Sequence, residues 1–473
     1  MTAMSMGAYA LIYALDNPDG TVSGFFDLAF RAAGAASFSN MPEVIAGLLG
    51  IAITVVAIIV ELASNRYTSR ITELFIASRV NQGVLAFFVL TCLLCVWTAL
   101  VGVPSGEELH VGSAVATVTI TACLLILLPY FAFVFAFLNP HNIVDRMASS
   151  ALAGVRRSGR GGPACVRHRL HAVQNIEQLA DVALNAIENK DKVICMHAVD
   201  ALGDLVRDSL SSKPGFSAEY FALDVTVREN PDFVSMQDDV LEAMERGRYW
   251  LEMKVLRQFQ MLYGETLNKS RDINYLIAIN TRKIAEAAMA CGDSEVVGIS
   301  AKFFNTYMRA TINGGDVRTA YNVFNQYRSL AESALRLGRE DVALEIARRF
   351  QYYGQLGFST GLRFVLETAA YDLCRLNEIA FELGAAKRRE LLAVFLEVDK
   401  EAEEGHDLEA SLRGVRKAQV KLATYYLTRG DDESARIIFD DMHAELPSRL
   451  DSIRSELEVI TARDFWEVSD RGV

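Results

Sequence analysis

The sequence predicts an all-α protein in two parts: a three-span transmembrane helical block, then a cytoplasmic α-helical bundle or α-solenoid of tetratricopeptide-like hairpins. Three observations carry this reading. Three long apolar runs stand between Pro42 and Pro140. Beyond them, apolar residues recur at helical spacing among charged ones. From Gly292 onward, glycines return every 23 residues.

The runs set the first domain, 42–140, with spans at about 44–63, 84–103 and 114–138. Each has roughly the 17–25 residues that a helix needs to cross about 30 Å of hydrocarbon. The second and third contain no charged residue. Charge in the flanking segments sets the orientation. Residues 1–41 hold Asp16, Asp19 and Asp27 against Arg31, and the 104–112 loop holds Glu107 and Glu108 with no Lys or Arg. The 64–83 loop holds Arg66, Arg70 and Arg79 against Glu73, and Arg146, Arg156, Arg157, Arg160, Arg167 and Arg169 follow the third run. Positive residues favour the cytoplasmic side. The expectation is a multi-pass protein of the cell inner membrane, with segment 1–41 outside and everything after 140 in the cytoplasm. Tyr9–Leu15 is too short and lacks a preceding basic residue, so no cleavable signal is expected; 7–15 and 24–35 read as short surface helices.

Small and polar residues within the spans fall on stripes. Gly47, Gly50, Thr54, Ala57 and Glu61 lie at alternating spacings of 3 and 4, one face of a helix packed in a left-handed bundle. Thr91, Cys95 and Thr98 repeat the pattern in the second span. Such stripes let helix backbones approach closely in lipid. The plainer reading is helix packing within or between subunits; the alternative is a pore lined by the first span, which three spans can enclose only as an oligomer. Glu61 stands at the cytoplasmic end of its helix, where a charged group can meet water. Ile71, Leu74, Phe75 and Val80 give the 64–83 loop an apolar face, so it continues the first helix or lies in the interface. Pro129 removes a hydrogen bond to the Leu125 carbonyl and predicts a kink.

Residues 141–171 read as a basic juxtamembrane linker, from the Gly and Pro of Ser158–Ala164 and from its arginines. Arg66, Arg70, Arg156, Arg157, Arg160, Arg167 and Arg169 are the candidate contacts to anionic membrane lipid, each contributing roughly 1 kcal/mol near the surface. Cys165, His168 and His171 lack a fourth ligand at usable spacing, so no metal and no cofactor are expected. The first 171 residues hold ten Lys or Arg against nine Asp or Glu, so the chain's net charge of −12 resides in the remainder. An acidic body on a basic collar argues against a nucleic-acid partner. The seven cysteines lie in spans or on the cytoplasmic side, where thiols stay reduced.

Residues 172–290 form a helical domain without a regular period. Ile176–Ile187 and Cys195–Leu210 read as helices, Lys213-Pro and Asn230-Pro interrupt the pattern, and a long helix is expected over Met236–Gly264. The 291–473 region is the repeat array. Gly292, Gly315, Gly338, Gly361 and Gly384 are evenly spaced; Asp407 takes the next place, and Gly430 restores the glycine. Glycine ends a helix in the left-handed C′ conformation, and the Asp that follows several of them caps the next. One helix per 23 residues makes hairpins of 46 that stack into a continuous core. Leu422-Ala-Thr-Tyr-Tyr-Leu-Thr-Arg-Gly-Asp-Asp-Glu-Ser-Ala-Arg-Ile-Ile-Phe439 looks like a tetratricopeptide pair, although that family's 34-residue period is absent.

Two stretches carry a family resemblance. Ile53-Thr-Val-Val-Ala-Ile-Ile-Val-Glu-Leu-Ala-Ser-Asn-Arg-Tyr-Thr-Ser-Arg, with Gly83-Val-Leu-Ala-Phe-Phe, resembles an uncharacterised bacterial family of predicted integral membrane proteins. Leu179-Ala-Asp-Val-Ala-Leu-Asn-Ala-Ile-Glu-Asn-Lys-Asp-Lys-Val-Ile-Cys-Met-His-Ala-Val-Asp-Ala-Leu is similar to a helical stretch of it. The resemblance spans about 45–290 and implies a bacterial inner-membrane protein without supplying an activity. This chain departs from the family by lacking its small intervening β domain and by adding the repeats.

No phosphate-cradling Gly-Lys-Ser/Thr loop, Gly-x-Ser-x-Gly elbow or His-Glu-x-x-His motif occurs, so an enzyme is not expected. The expected function is a non-enzymatic membrane protein that homo-oligomerises and presents a helical-repeat scaffold to a cytoplasmic protein partner. The alternative is an oligomeric ion channel or pore.

Overall fold

The computed structural model describes residues 41–66, 70–105, 110–399, 409–443 and 446–461, and no strand occurs among them. The expected surface helices in 1–40, and Asp407, lie outside the described residues. The chain divides into two compact units, 1–143 and 144–473.

The first unit is built from α1 (Met41–Arg66), α2 (Arg70–Ile76), α3 (Arg79–Ser105) and α4 (His110–Phe137). Its three long helices are apolar enough to cross a membrane over Glu43–Ser64, Arg79–Trp97 and Val115–Phe137. In α4 the seam is regular: Ala116, Cys123, Tyr130 and Phe137 are buried at a seven-residue interval, the repeat that keeps one stripe on its neighbours. From α3 come Asn81, Phe88, Thr91 and Cys95; from α1 come Ile45, Ala52, Val56 and Val60. The 64–83 loop becomes the end of α1 and the short α2, whose Ile71 and Phe75 turn inward. Phe75 meets Phe137 edge to face, with centroids 5.4 Å apart. α4 is helical on both sides of Pro129.

The division between units falls within α5 (Pro140–Gly159). The expected linker over 141–171 is therefore mostly helix. Val144, Met147, Ala151 and Val155 are buried at spacings of 3 and 4, a helical stripe that outweighs the local Gly content. The turn is confined to Arg160–Ala164, where Gly161 and Gly162 have positive φ. Next come α6 (Cys165–Glu188), α7 (Lys192–Leu210), the short α8 (Ala218–Phe221) and α9 (Val225–Arg228), then α10 (Asp238–Arg246) and α11 (Trp250–Thr266). The single helix expected over Met236–Gly264 is thus broken at Gly247–Tyr249. There Arg248 takes φ 57°, which no α-helix accommodates.

The repeat region holds α12 (Arg271–Cys291), α13 (Ser294–Asn313), α14 (Val317–Arg336), α15 (Glu340–Ser359) and α16 (Phe364–Glu382), then α17 (Arg388–Leu396), α18 (Glu409–Thr428), α19 (Asp432–Met442) and α20 (Pro447–Val459). Gly292, Gly315, Gly338, Gly361, Gly384 and Gly430 each stand between successive helices with φ between 63° and 86°. Helices α7, α12, α14, α16, α18 and α20 form one layer, and α6, α11, α13, α15, α17 and α19 the other. The layer runs directly from α7 to α12, so no structural break separates 172–290 from the repeats.

The glycine turns work together with acidic caps. Asp293, Asp316 and Asp431 accept from the N–H three residues on, at 3.2, 3.2 and 3.1 Å. Asp316 also accepts from the Thr319 hydroxyl at 2.8 Å and pairs with Arg271 at 3.3 Å. Burial raises its pKa, but the Thr319 bonds and Arg271 outweigh that and hold it below the usual carboxylate range. A lowered folded-state value means that the cap's contribution is complete above the unfolded value near 3.9 and is lost as pH falls through the folded one. Asp316→Ala should cost about 1–2 kcal/mol at neutral pH. In denaturant unfolding of the detergent-purified chain, the gap to the parent should close on acidification.

Candidate functional site

The most distinctive surface in the membrane unit is on α1. Its inward face carries Ile45, Ala52, Val56 and Val60, and Gly47, Gly50, Thr54, Ala57 and Glu61 are all exposed on the protomer. A Cβ added at Gly47 or Gly50 would meet nothing within 4 Å. The Thr54 hydroxyl donates back to the Gly50 carbonyl at 2.8 Å, so the stripe is smooth and its polar atom satisfied. Among the described residues, then, this stripe does not pack against the other helices of its own subunit. Thr91 and Cys95 behave differently. Both are buried, and the Thr91 hydroxyl donates to the Phe87 carbonyl at 2.9 Å. They form the seam inside the subunit, and Thr91 cannot line a pore with the α1 stripe. The side chain of Thr98 lies outside the described residues.

Beside the stripe, a groove of about 350 Å³ opens between α1 and α3, closed at one end by α2. Under it the Tyr130 hydroxyl donates to Asn81 Oδ1 at 2.7 Å, and both side chains are buried. Sequence reasoning missed this pair. Its signal was present, because Asn81 sits seven residues before Phe88 on the inward line of α3.

Of the basic residues, Arg156, Arg157, Arg160 and Arg167 are exposed; the side chains of Arg66 and Arg70 lie outside the described residues. Arg169 corrects the expectation of a lipid contact. It is 2% exposed, pairs with Asp224 at 2.6 Å and donates to the carbonyls of Glu219, Tyr220 and Ala222 at 3.3, 3.1 and 2.5 Å. Its work is to tie α8 to α6. Cys165 is engaged too, its thiol donating to the Ser158 carbonyl at 3.3 Å.

Two further ion clusters were not anticipated. The ammonium of Lys254, 1% exposed, reaches Glu177 Oε1 and Asn230 Oδ1 at 2.7 Å each, and also Asp232. Lys213 bridges Glu252 and Asp293 at 2.8 and 2.6 Å. Burial pushes Glu252 up, and Lys213 opposes it. Cys195 is buried and its thiol is pushed up to about 12, far from the range of a reactive thiolate.

Within the repeat array, charge is spent between stacked helices. Arg282 Nε donates to Gln326 at 2.8 Å, and Arg328 Nε stands 3.2 Å from Asp372: the same rung from α12 to α14 and from α14 to α16. Each arginine also pairs with a glutamate one turn on, Glu286 or Glu332. At the far end, the shorter α19 and α20 leave an apolar groove of about 980 Å³ against α18, lined by Leu427, Ile438, Phe439, Ile453 and Leu457.

Among curated proteins none matches this chain. A solved structure described as a "circular tandem repeat protein with novel repeat topology and enhanced subunit contact surfaces" is similar at 14% identity, covering 91% of this chain and 98% of its own, with a TM-score of 0.41. The resemblance read over 45–290 meets a match that stops earlier: residues 1–192 match the model of a family described as a predicted membrane protein, DUF2254.

Proposed function

We propose that this chain is a non-enzymatic inner-membrane protein that self-associates through the α1 stripe and holds its helical-repeat unit in the cytoplasm as a scaffold for protein contacts. The observation that carries the reading is the outward placement of Gly47, Gly50, Thr54 and Ala57. A smooth stripe left open among the described residues is the surface on which a second helix in lipid packs most closely. The bias of Lys and Arg toward the 64–83 loop and the segment after the third span supports the orientation, with the N-terminus outside. The apolar groove against α18 supports protein contact, since exposed apolar surface of that kind marks interaction sites.

Mass measurement in nanodiscs tests self-association. The parent should contain more than one copy, and Gly50→Ile should raise the concentration needed for assembly at least tenfold, about 1.4 kcal/mol. Because a Cβ added at Gly50 meets nothing within 4 Å among the described residues, the fold should survive. A parent that stays monomeric at every concentration removes the reading.

Conduction is the second reading. It draws on Thr54 and Glu61 sharing the exposed stripe, where symmetry mates could ring an axis. Reconstituted bilayers without conductance under voltage or tension would discard it.

A further inference from the structure

The groove between α1 and α3 lies within helices long and apolar enough to span the membrane, so hydrocarbon, not water, is the medium that meets it. Its composition is polarised along α1. Toward the middle of the span it is lined by Leu49, Ala52, Ile53 and Phe88. At the other end, where α1 finishes and α2 closes the groove, stand Glu61, Ser64 and Thr72. The Tyr130 hydroxyl donates to Asn81 Oδ1, and Leu49, Ala52, Ile53 and Phe88 carry no side-chain group that asks for a hydrogen bond. A volume of about 350 Å³ lies at the lower end of the range for small-molecule sites.

We propose that this groove holds one acyl chain of a membrane phospholipid, with the headgroup at the Glu61, Ser64 and Thr72 end. The occupant must be apolar along most of its length and polar at one end, in the same sense as the groove. A phospholipid has that polarity, and it bathes the site at high concentration. A second copy fits less well. The self-association stripe and the groove overlap at Ala57 and Glu61, while Gly47, Gly50 and Thr54 stand outside the groove. Copies meeting at the stripe would border the groove without filling it. The inference rests on the membrane-spanning reading alone and not on self-association.

The test uses the full chain in nanodiscs of phosphatidylethanolamine and phosphatidylglycerol, doped with phosphatidylethanolamine carrying a diazirine in its acyl chain. After irradiation, labelled peptides are quantified by mass spectrometry. Labelling should concentrate on Leu49–Val60 and Val84–Phe88, several-fold above exposed span residues such as Val118 and Leu128. Two substitutions should reduce it at least fivefold: Ala52→Phe from inside the groove, and Ile53→Phe from its open rim, where the residue is 46% exposed and a larger ring is tolerated. Gly50→Ile, on the stripe, should leave it unchanged. Labelling spread evenly around all three spans, or unaltered by Ile53→Phe in a folded protein, would overturn the proposal. So would cross-links from Ala52 or Phe88, groove residues outside the stripe, to α1 of a second copy. A parent that proves monomeric removes self-association and leaves this readout intact.

Discussion

Arg169→Ala should destabilise the helical body by about 3–5 kcal/mol. Arg167→Ala, two residues earlier, should change stability by no more than about 0.5 kcal/mol. The guanidinium of Arg169 is the sole cation paired with Asp224 among the described contacts, and it also satisfies three carbonyls around α8. Truncation leaves a carboxylate without its counter-charge and strips part-buried acceptors of their donor, a desolvation cost that water relieves only in part, since the Asp224 side chain is 27% exposed. Arg167 is exposed and is free to face a headgroup. Denaturant unfolding of the detergent-purified chain reads the difference, and limited proteolysis should cut the variant within 216–224 first. If Arg169 served lipid instead, both substitutions would weaken binding to anionic vesicles alike and neither would alter unfolding.

This contrast shows where the sequence was informative and where it was not. Arg167 and Arg169 stand in one basic run, with nothing local to separate them. The distinction is made by Asp224, far along the chain and in an irregular stretch between α8 and α9. The glycine turns were legible for the opposite reason. A helix C′ residue with positive φ is a local steric demand that glycine meets best, and an Asp placed to cap the next helix is equally local. The spans were legible from composition, but their facing was not. In lipid there is no contrast between an apolar inside and a polar outside. Ile45, Ala52, Val56 and Val60 carry no mark distinguishing them from the rest of α1, while the small-residue stripe drew attention and turned out to lie on the outer surface. Asn81 and Tyr130 are polar residues at the seam, found by following the seven-residue spacing and not by polarity alone.

The larger expected effect concerns the unit of the repeat. Deleting residues 338–360, one helix and its glycine, should abolish cooperative folding of the repeat unit, a loss comparable to the whole stability of a domain, about 5–15 kcal/mol. Deleting 315–360, twice the length, should be tolerated. The reason is the two-layer stack. Removing α15 alone joins α14 directly to α16, two helices of the same layer, so every later helix is sent to the wrong layer with its apolar face reversed. Removing α14 and α15 together takes one helix from each layer and leaves the alternation intact. It also preserves the polar rung. Arg282 stands 46 residues before Arg328, and Glu286 the same distance before Glu332. In the shortened chain α12 would meet α16, and Arg282 would take the position from which Arg328 pairs with Asp372. The Asp316 cap leaves with α14, the helix that it caps, and a stacked array can absorb the loss of one repeat, because its stability is nearly a sum of repeats and their interfaces. Circular dichroism melts and size-exclusion profiles of the two deletions decide the matter. A single monodisperse, cooperatively melting species is expected for the 46-residue deletion only. Equal behaviour of the two would mean that the helices pack without a fixed layer order, and that the glycine period marks turns but not a structural unit.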